Sequence, residues 1–157
     1  MSYYIENIFL CLAVPLILSM LFRKGKQRTF TTFVILGMGC CLLSAYVSSF
    51  FAGYYHAGTA AAVMEITPVC EEVMKFLLFY LLVFEPDKQE VISPAIGIAV
   101  GFATFENVCY LTENGAADFY DILIRGVSAG SLHLLCGIAL SCGIAYVFRK
   151  KWIMVTG

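Results

Sequence analysis

The segment TPVCEEVMKFLLFYLLVF, residues 67–84, combines the apolar character of a membrane helix with three charged side chains. Its second half is almost entirely apolar, whereas Glu71, Glu72 and Lys75 lie in its first half. A charge at the centre of a membrane helix costs about 2.5–3.5 kcal/mol, and each Leu or Phe offsets only about 0.3–0.6 kcal/mol. The apolar half cannot compensate for three charges, so we expect the interior of a helix bundle to receive them.

The composition of the whole chain indicates a membrane protein. Of its 157 residues, 61% are hydrophobic and 13% are charged, against about 45–50% and about 25% in soluble domains. A helix needs about 20 apolar residues to span a bilayer. The sequence therefore predicts a single transmembrane domain of the all-α class, a bundle of about five helices with short loops, at about residues 4–22, 30–52, 66–84, 91–111 and 126–148.

The basic residues predict the orientation of this bundle, because short loops rich in Lys and Arg stay in the cytoplasm. Eight of the ten fall on one side: Arg23, Lys24, Lys26, Arg28, Lys88, Arg149, Lys150 and Lys151. Arg125 falls on the other side, and Lys75 lies within a span. We expect the N-terminus outside and the C-terminus in the cytoplasm. The first span should remain in the mature protein, because its basic residues follow its apolar core.

The charged residues of the third span share one helix face. At 100° per residue, Lys75 lies about 40° from Glu71 and about 60° from Glu72. One lysine can therefore bridge both carboxylates, which leaves one net negative charge or one shared proton facing the bundle. A close pair of carboxylates of this kind is suited to acid–base chemistry.

The next two spans carry further polar groups at a similar depth. Glu106 and Asn107 occur in GFATFENVCYL, and His133 occurs in AGSLHLLCGIALSCG. At about 1.5 Å per residue, Glu72, Glu106 and His133 lie roughly 9, 8 and 10 Å below the outer ends of their helices. Ionisable residues inside a membrane mark functional sites by default. We therefore predict that the three helices form one polar site.

The segments EEVMK, FATFEN and HLLCG resemble the motifs EExxK, FxxxEN and HxxxG of the PrsW family of intramembrane proteases, related to CAAX-processing and bacteriocin-processing membrane proteases. They match in order over about residues 65–145, although the chain is short for the family and CAAX-type relatives usually have His in place of Glu106. The resemblance implies cleavage of a single-span membrane protein, such as an anti-sigma factor, near its extracytoplasmic boundary in a bacterial plasma membrane. It implies six catalytic residues: Glu71, Glu72, Lys75, Glu106, Asn107 and His133.

Two mechanisms are compatible with these residue types. In the first, Glu72 or Glu71 deprotonates a water that Glu106 and His133 position, and Asn107 or His133 stabilises the oxyanion. In the second, carboxylates and His133 hold a zinc ion with an open water position. We favour the mechanism without a cofactor, because HExxH is absent and the second histidine, His56, falls in a loop.

The seven cysteines fall almost wholly within predicted spans and show no zinc-finger or redox spacing. We interpret them as small apolar residues of the bundle, free of disulfides. Cys70, Cys109 and Cys136 lie near the polar layer, and a role as soft ligands or as a nucleophile is a minor alternative.

A small proton- or ion-coupled transporter is the competing function, since carboxylates and a histidine can relay ions. A relay needs polar steps toward both faces, whereas the inner halves of spans three and four are nearly all apolar. A third possibility is an assembly or immunity protein without catalysis, which would use the charges only to bind a partner helix. Its function would tolerate Glu→Gln changes. The partners we expect are the bilayer and a membrane substrate, and no nucleic acid.

Two packing features complete the sequence-based expectations. Gly97 with Gly101, and Gly126 with Gly130, have the GxxxG spacing that lets helices approach closely. Residues 112–125, which include Arg125, are typical of an interfacial amphipathic helix that caps the bundle or gates substrate entry.

Overall fold

The computed structural model describes residues 5–22, 24–83, 92–114 and 119–156. These residues contain no strand and form five main helices: α1 (Ile5–Ser19), α2 (Lys26–Tyr54), α3 (Thr67–Val83), α4 (Ile92–Asn114) and α5 (Phe119–Thr156). The prediction of an all-α membrane bundle of about five helices is confirmed. Arg23 and Lys88, which contributed to the predicted orientation, lie outside the described residues.

Three of the helices contain stretches long and apolar enough to cross a bilayer, namely Lys26–Tyr54, Ile92–Glu113 and Phe119–Gly143. α1 and α3 are shorter, with 15 and 17 residues. α5 begins at Phe119, well before the predicted start near residue 126. Residues 119–125 of the predicted interfacial segment therefore form the first turns of α5 and continue directly into the rest of that helix.

A π-helical segment, Ala62–Ile66, precedes α3. The helix is wider in this segment, which ends about one turn before Glu71 and Glu72. Pro68, the second residue of α3, has no backbone N–H to donate, and a wider turn accommodates this loss. Thr67 Oγ1 donates to the carbonyl oxygen of Ala62, 3.0 Å away, which also accepts from the Thr67 backbone N–H. Glu71 and Glu72 therefore follow directly on a stretch of loosened helix.

The core of the bundle lies between α2 and α4. Phe102 and Phe105 of α4 are fully buried and pack against Met38, Cys40 and Cys41 of α2. All seven cysteines are free thiols; Cys40, Cys41 and Cys70 are buried, whereas Cys11 and Cys142 are exposed. α4 also packs along α5 on another side. It is therefore the central helix of the bundle, and it positions the polar residues of α5.

Close backbone contact sets the position of α4 against α2. A Cβ atom added to Gly101 would lie 1.9 Å from the carbonyl oxygen of Val34, and one added to Gly37 would lie 2.2 Å from that of Ile98. At Gly97 a Cβ atom would lie 2.9 Å from the Phe33 Cβ atom. The first GxxxG pair therefore serves close approach, with α2 as the partner helix.

The second GxxxG pair behaves differently, which provides a matched test of this packing. A Cβ atom on Gly126 or Gly130 meets nothing within 4 Å in the described structure. We expect Gly101→Ala to destabilise the fold by about 1–3 kcal/mol, because its methyl group has no space. Gly130→Ala should be neutral or stabilising by up to about 1 kcal/mol, because Ala is favoured over Gly in helices. Unfolding of both variants in detergent micelles measures the difference, and equal stabilities would contradict it.

Candidate functional site

Lys75 is the buried charge around which the polar residues gather. Its side chain is only 5% exposed. The ammonium group donates to Glu72 Oε1 at 2.7 Å and lies 2.7 Å from Nδ1 of His133 on α5. Its Nζ atom also lies 4.0 Å from the centre of the Phe102 ring on α4. A buried cation needs such partners, because burial without them removes its hydration at a cost of several kcal/mol.

His133 connects Lys75 to Glu106 through its two ring nitrogens. Its Nε2 atom lies 2.6 Å from Glu106 Oε2. An ammonium group can only donate, so Nδ1 accepts from Lys75 and the ring proton resides on Nε2, which donates to Glu106. A doubly protonated ring would direct an N–H group against the ammonium. This geometry therefore requires a neutral imidazole with both nitrogens engaged.

Glu71 lies beside this chain of hydrogen bonds. One of its carboxylate oxygens lies within 4.8 Å of ligand atoms of both Glu106 and His133. The expected bridge from Lys75 to both adjacent glutamates is wrong: in the described part of the chain, its ammonium contacts Glu72 and His133. Neighbouring residues on a helix diverge by 100°. Glu71 therefore lies near Glu106, whereas the side chain of Glu72 is 47% exposed at the edge of the cluster.

The structure does not bring every predicted residue into this cluster. The Asn107 Oδ1 atom is buried and has no hydrogen-bond partner within the described ranges. A catalytic role for Asn107 thus stays a prediction. Cys70, Cys109 and Cys136 do not belong to the group of close ligand atoms that Glu71, Glu106 and His133 form.

Arg125 is the member of the cluster that sequence reasoning missed. Its Nη2 atom donates to Glu106 Oε1 at 3.0 Å, and its Cζ atom lies 3.6 Å from the centre of the Tyr110 ring. The sequence pattern places Arg125 in the predicted interfacial segment. The available signal was its position eight residues before His133, which at 100° per residue places the two about 80° apart on α5, within reach of one partner.

A narrow cleft opens between α3 and α5 next to Lys75. Its volume of about 10 Å³ is comparable with the space that one water molecule needs. Small side chains at Ala95, Ala99 and Gly137 line it together with Glu72 and Lys75. The cleft therefore reaches the charged cluster from the side of the bundle, where α3 and α5 contact each other little.

Carboxylates, a neutral histidine and a lysine thus lie close together within a membrane bundle. A hydrolase that activates water needs groups of these kinds. A comparison with protein families agrees with this class: the model described as PrsW family intramembrane metalloprotease matches residues 25–156. The chain belongs to this family, and the resemblance carried by its three motifs is confirmed. It is an integral membrane peptidase. No curated protein and no solved structure matches the chain.

The family description implies a metal ion, and the donor types of the cluster fit one. Glu71, Glu106 and His133 supply two carboxylates and an imidazole, which suits a catalytic zinc site with three protein ligands. Both nitrogens of His133 are already hydrogen-bonded. A metal ion at Nε2 would replace the bond to Glu106 and shift the ring proton to Nδ1, where it would face the Lys75 ammonium, whereas a metal ion at Nδ1 would displace Lys75 directly. Lys75 and a metal ion therefore compete for this histidine.

The tautomer of His133 can be tested by NMR, because the chain has only two histidines. In a His56→Ala background, ¹⁵N-labelled histidine reports on His133 alone. We expect one protonated nitrogen, Nε2, and a bare Nδ1 whose resonance shifts in Lys75→Met, because the ammonium no longer donates to it. A proton on Nδ1 in the otherwise unchanged protein would contradict the geometry.

Competition between Lys75 and a metal ion predicts tighter metal binding once the lysine is removed. Lys75→Met should bind Zn²⁺ or Co²⁺ at least about tenfold more tightly than wild type, because a cation within a few ångströms repels a dication. Lys24→Met, a change of an exposed lysine, serves as the control. Calorimetry with Zn²⁺ and the visible absorption of bound Co²⁺ measure the affinity. Equal or weaker binding by Lys75→Met would argue against the competition.

Proposed function

We propose that this protein hydrolyses a peptide bond of a single-span membrane protein near the extracytoplasmic face of the bilayer, using a water activated by a glutamate. The observation that carries the proposal is the continuous hydrogen-bonded chain from Glu72 through Lys75 and His133 to Glu106, with Glu71 alongside. Such a constellation supplies a base, hydrogen-bond donors and a compensating cation in one low-dielectric layer.

Among the three carboxylates of the cluster, Glu71 is best placed to act as the base. Glu72 is neutralised by Lys75, and Glu106 has both oxygens occupied, by His133 and by Arg125. Glu71 makes no hydrogen bond within the described residues and keeps its oxygens available to a water. In this mechanism Glu71 takes a proton from the water and returns it to the nitrogen of the departing peptide.

Lys75 stabilises the negative charge that develops on the peptide oxygen, and His133 orients its ammonium group. Lys75 is the buried cation of the layer, and it is coupled to His133 at 2.7 Å. A fixed cation in a low-dielectric site stabilises an oxyanion without reorganisation at the moment of reaction. Glu106 holds His133 by accepting from Nε2, so the ring keeps one orientation through the reaction.

The proposed side of the membrane follows from the predicted orientation, and the proposed substrate class follows from the family resemblance. With the N-terminus outside, the first turns of α3 and α5 lie toward the extracytoplasmic face, and Glu71 and Arg125 lie in these turns. A substrate helix entering the gap between α3 and α5 would present its outer end to the cluster. Anti-sigma factors, which the family resemblance suggests, have such a boundary between a membrane span and an outer domain.

Substitutions test the assignment of the base. Glu71→Gln and His133→Ala should lower the cleavage rate by about 10²–10⁴-fold, the range of acid–base contributions. Glu72→Gln should lower it less, because Glu72 pairs with Lys75 rather than with water. Glu65→Gln, a change of an exposed glutamate just before α3, is the matched control. Cleavage of a panel of single-span substrates in liposomes measures the rates, and wild-type activity in Glu71→Gln would sink the assignment.

The family description as a metalloprotease supports a second mechanism, in which Glu71, Glu106 and His133 would hold a zinc ion that lowers the pKa of a bound water. The same assay separates the two mechanisms if it is repeated after dialysis against a chelator. Undiminished cleavage by metal-free protein supports the glutamate mechanism. Loss of cleavage that stoichiometric Zn²⁺ restores supports the zinc mechanism.

A further inference from the structure

Arg125 and His133 hold the carboxylate of Glu106 from two sides. Arg125 Nη2 donates to Oε1 at 3.0 Å, and His133 Nε2 donates to Oε2 at 2.6 Å. Both donors belong to α5, whereas Glu106 belongs to α4. Because each oxygen is bound by a different donor, the plane of the carboxylate has one preferred orientation.

Tyr110 restrains the guanidinium group that makes the outer of these two contacts. Tyr110 lies one turn after Glu106 on α4, and its ring centre is 3.6 Å from Arg125 Cζ. A planar guanidinium stacked on an aromatic ring is held in a fixed plane, which a flexible ammonium would not be. The Nε atom of Arg125 is buried and has no hydrogen-bond partner in the described ranges. The Nε–H group of Arg125 has therefore lost its hydration in this position.

The contact with Glu106 is more than a surface ion pair. The side chains of Arg125 and Glu106 are 32% and 26% exposed, whereas ion pairs that contribute little to stability are those at fully exposed sites. An arginine inside a membrane helix is costly unless its charge is paired. Such a cost is offset where the charge has a partner, and the partner here is the residue that orients His133.

We propose that Arg125 is a positioning residue, which holds Glu106 in the orientation that lets His133 donate to it and thereby keeps His133 aligned with Lys75 and Glu71. Its effect on catalysis rests on the proposed function, whereas its effect on His133 does not. Arg125 contacts neither the water nor the peptide in this scheme. It acts through Glu106.

The experiment compares Arg125→Gln and Arg125→Lys with Arg28→Gln, a change of an exposed arginine at the start of α2. Each is purified as the full chain, and kcat and KM are measured with a single-span substrate in liposomes. Spectra of ¹⁵N-labelled His133 are recorded for the same variants in the His56→Ala background. Thermal unfolding in detergent identifies any variant that fails to fold.

We expect Arg125→Gln to lower kcat by about 10–100-fold, as is usual when the partner of an oriented histidine or carboxylate is lost. KM should stay within about twofold, because binding of the substrate is not involved. The kcat of Arg125→Lys should lie between those of wild type and Arg125→Gln, because lysine keeps the positive charge but lacks the planar guanidinium group. The His133 Nε2 resonance should shift in Arg125→Gln and stay unchanged in Arg28→Gln.

Two results would overturn the positioning role: an unchanged kcat together with an unchanged His133 spectrum in Arg125→Gln, or equal losses in both Arg125 variants that match a loss of folded protein. If Arg125→Gln does not fold, Arg125→Lys alone decides, through a lowered kcat and a shifted His133 resonance. A shift of the His133 resonance in a protein without any peptidase activity would refute the proposed function and support the positioning role.

Discussion

The pairing of buried charges is the constraint on which this structure depends. Lipid cannot hydrate an ammonium or a carboxylate, so each charge on α3, α4 and α5 has to find a partner on another helix or on its own. Lys75 meets this requirement through Glu72 and His133, and Glu106 meets it through His133 and Arg125. The cluster therefore joins α3 to α5, two helices that otherwise contact each other little.

The apolar packing and the polar cluster meet on one helix. Gly37 and Gly101 let the backbones of α2 and α4 approach closely where the two helices cross. Phe102 and Phe105 fill the space beside this crossing, and Phe102 also provides the ring beneath the Lys75 ammonium. Because Glu106 directly follows Phe105, the packing of the core sets the height and rotation at which the carboxylate meets α5.

The same geometry explains why residue types alone do not distinguish a glutamate mechanism from a zinc mechanism. Both need carboxylates and a histidine around one water, and Glu71, Glu106 and His133 meet that need. The difference lies in which cation His133 faces. In this structure the cation is Lys75, bonded to Nδ1, so a metal ion at either ring nitrogen would have to compete with this ammonium group for the histidine.

The sequence by itself determined the class of fold, because long apolar windows leave a chain in lipid few alternatives to helices. It also predicted that Glu72, Glu106 and His133 lie at a similar depth, because depth follows from rise per residue within a single helix. Only the tertiary structure decided that Lys75 pairs with His133 rather than with Glu71, and that Arg125 binds Glu106. These choices depend on the rotation and crossing of neighbouring helices, which the periodicity of one helix does not encode.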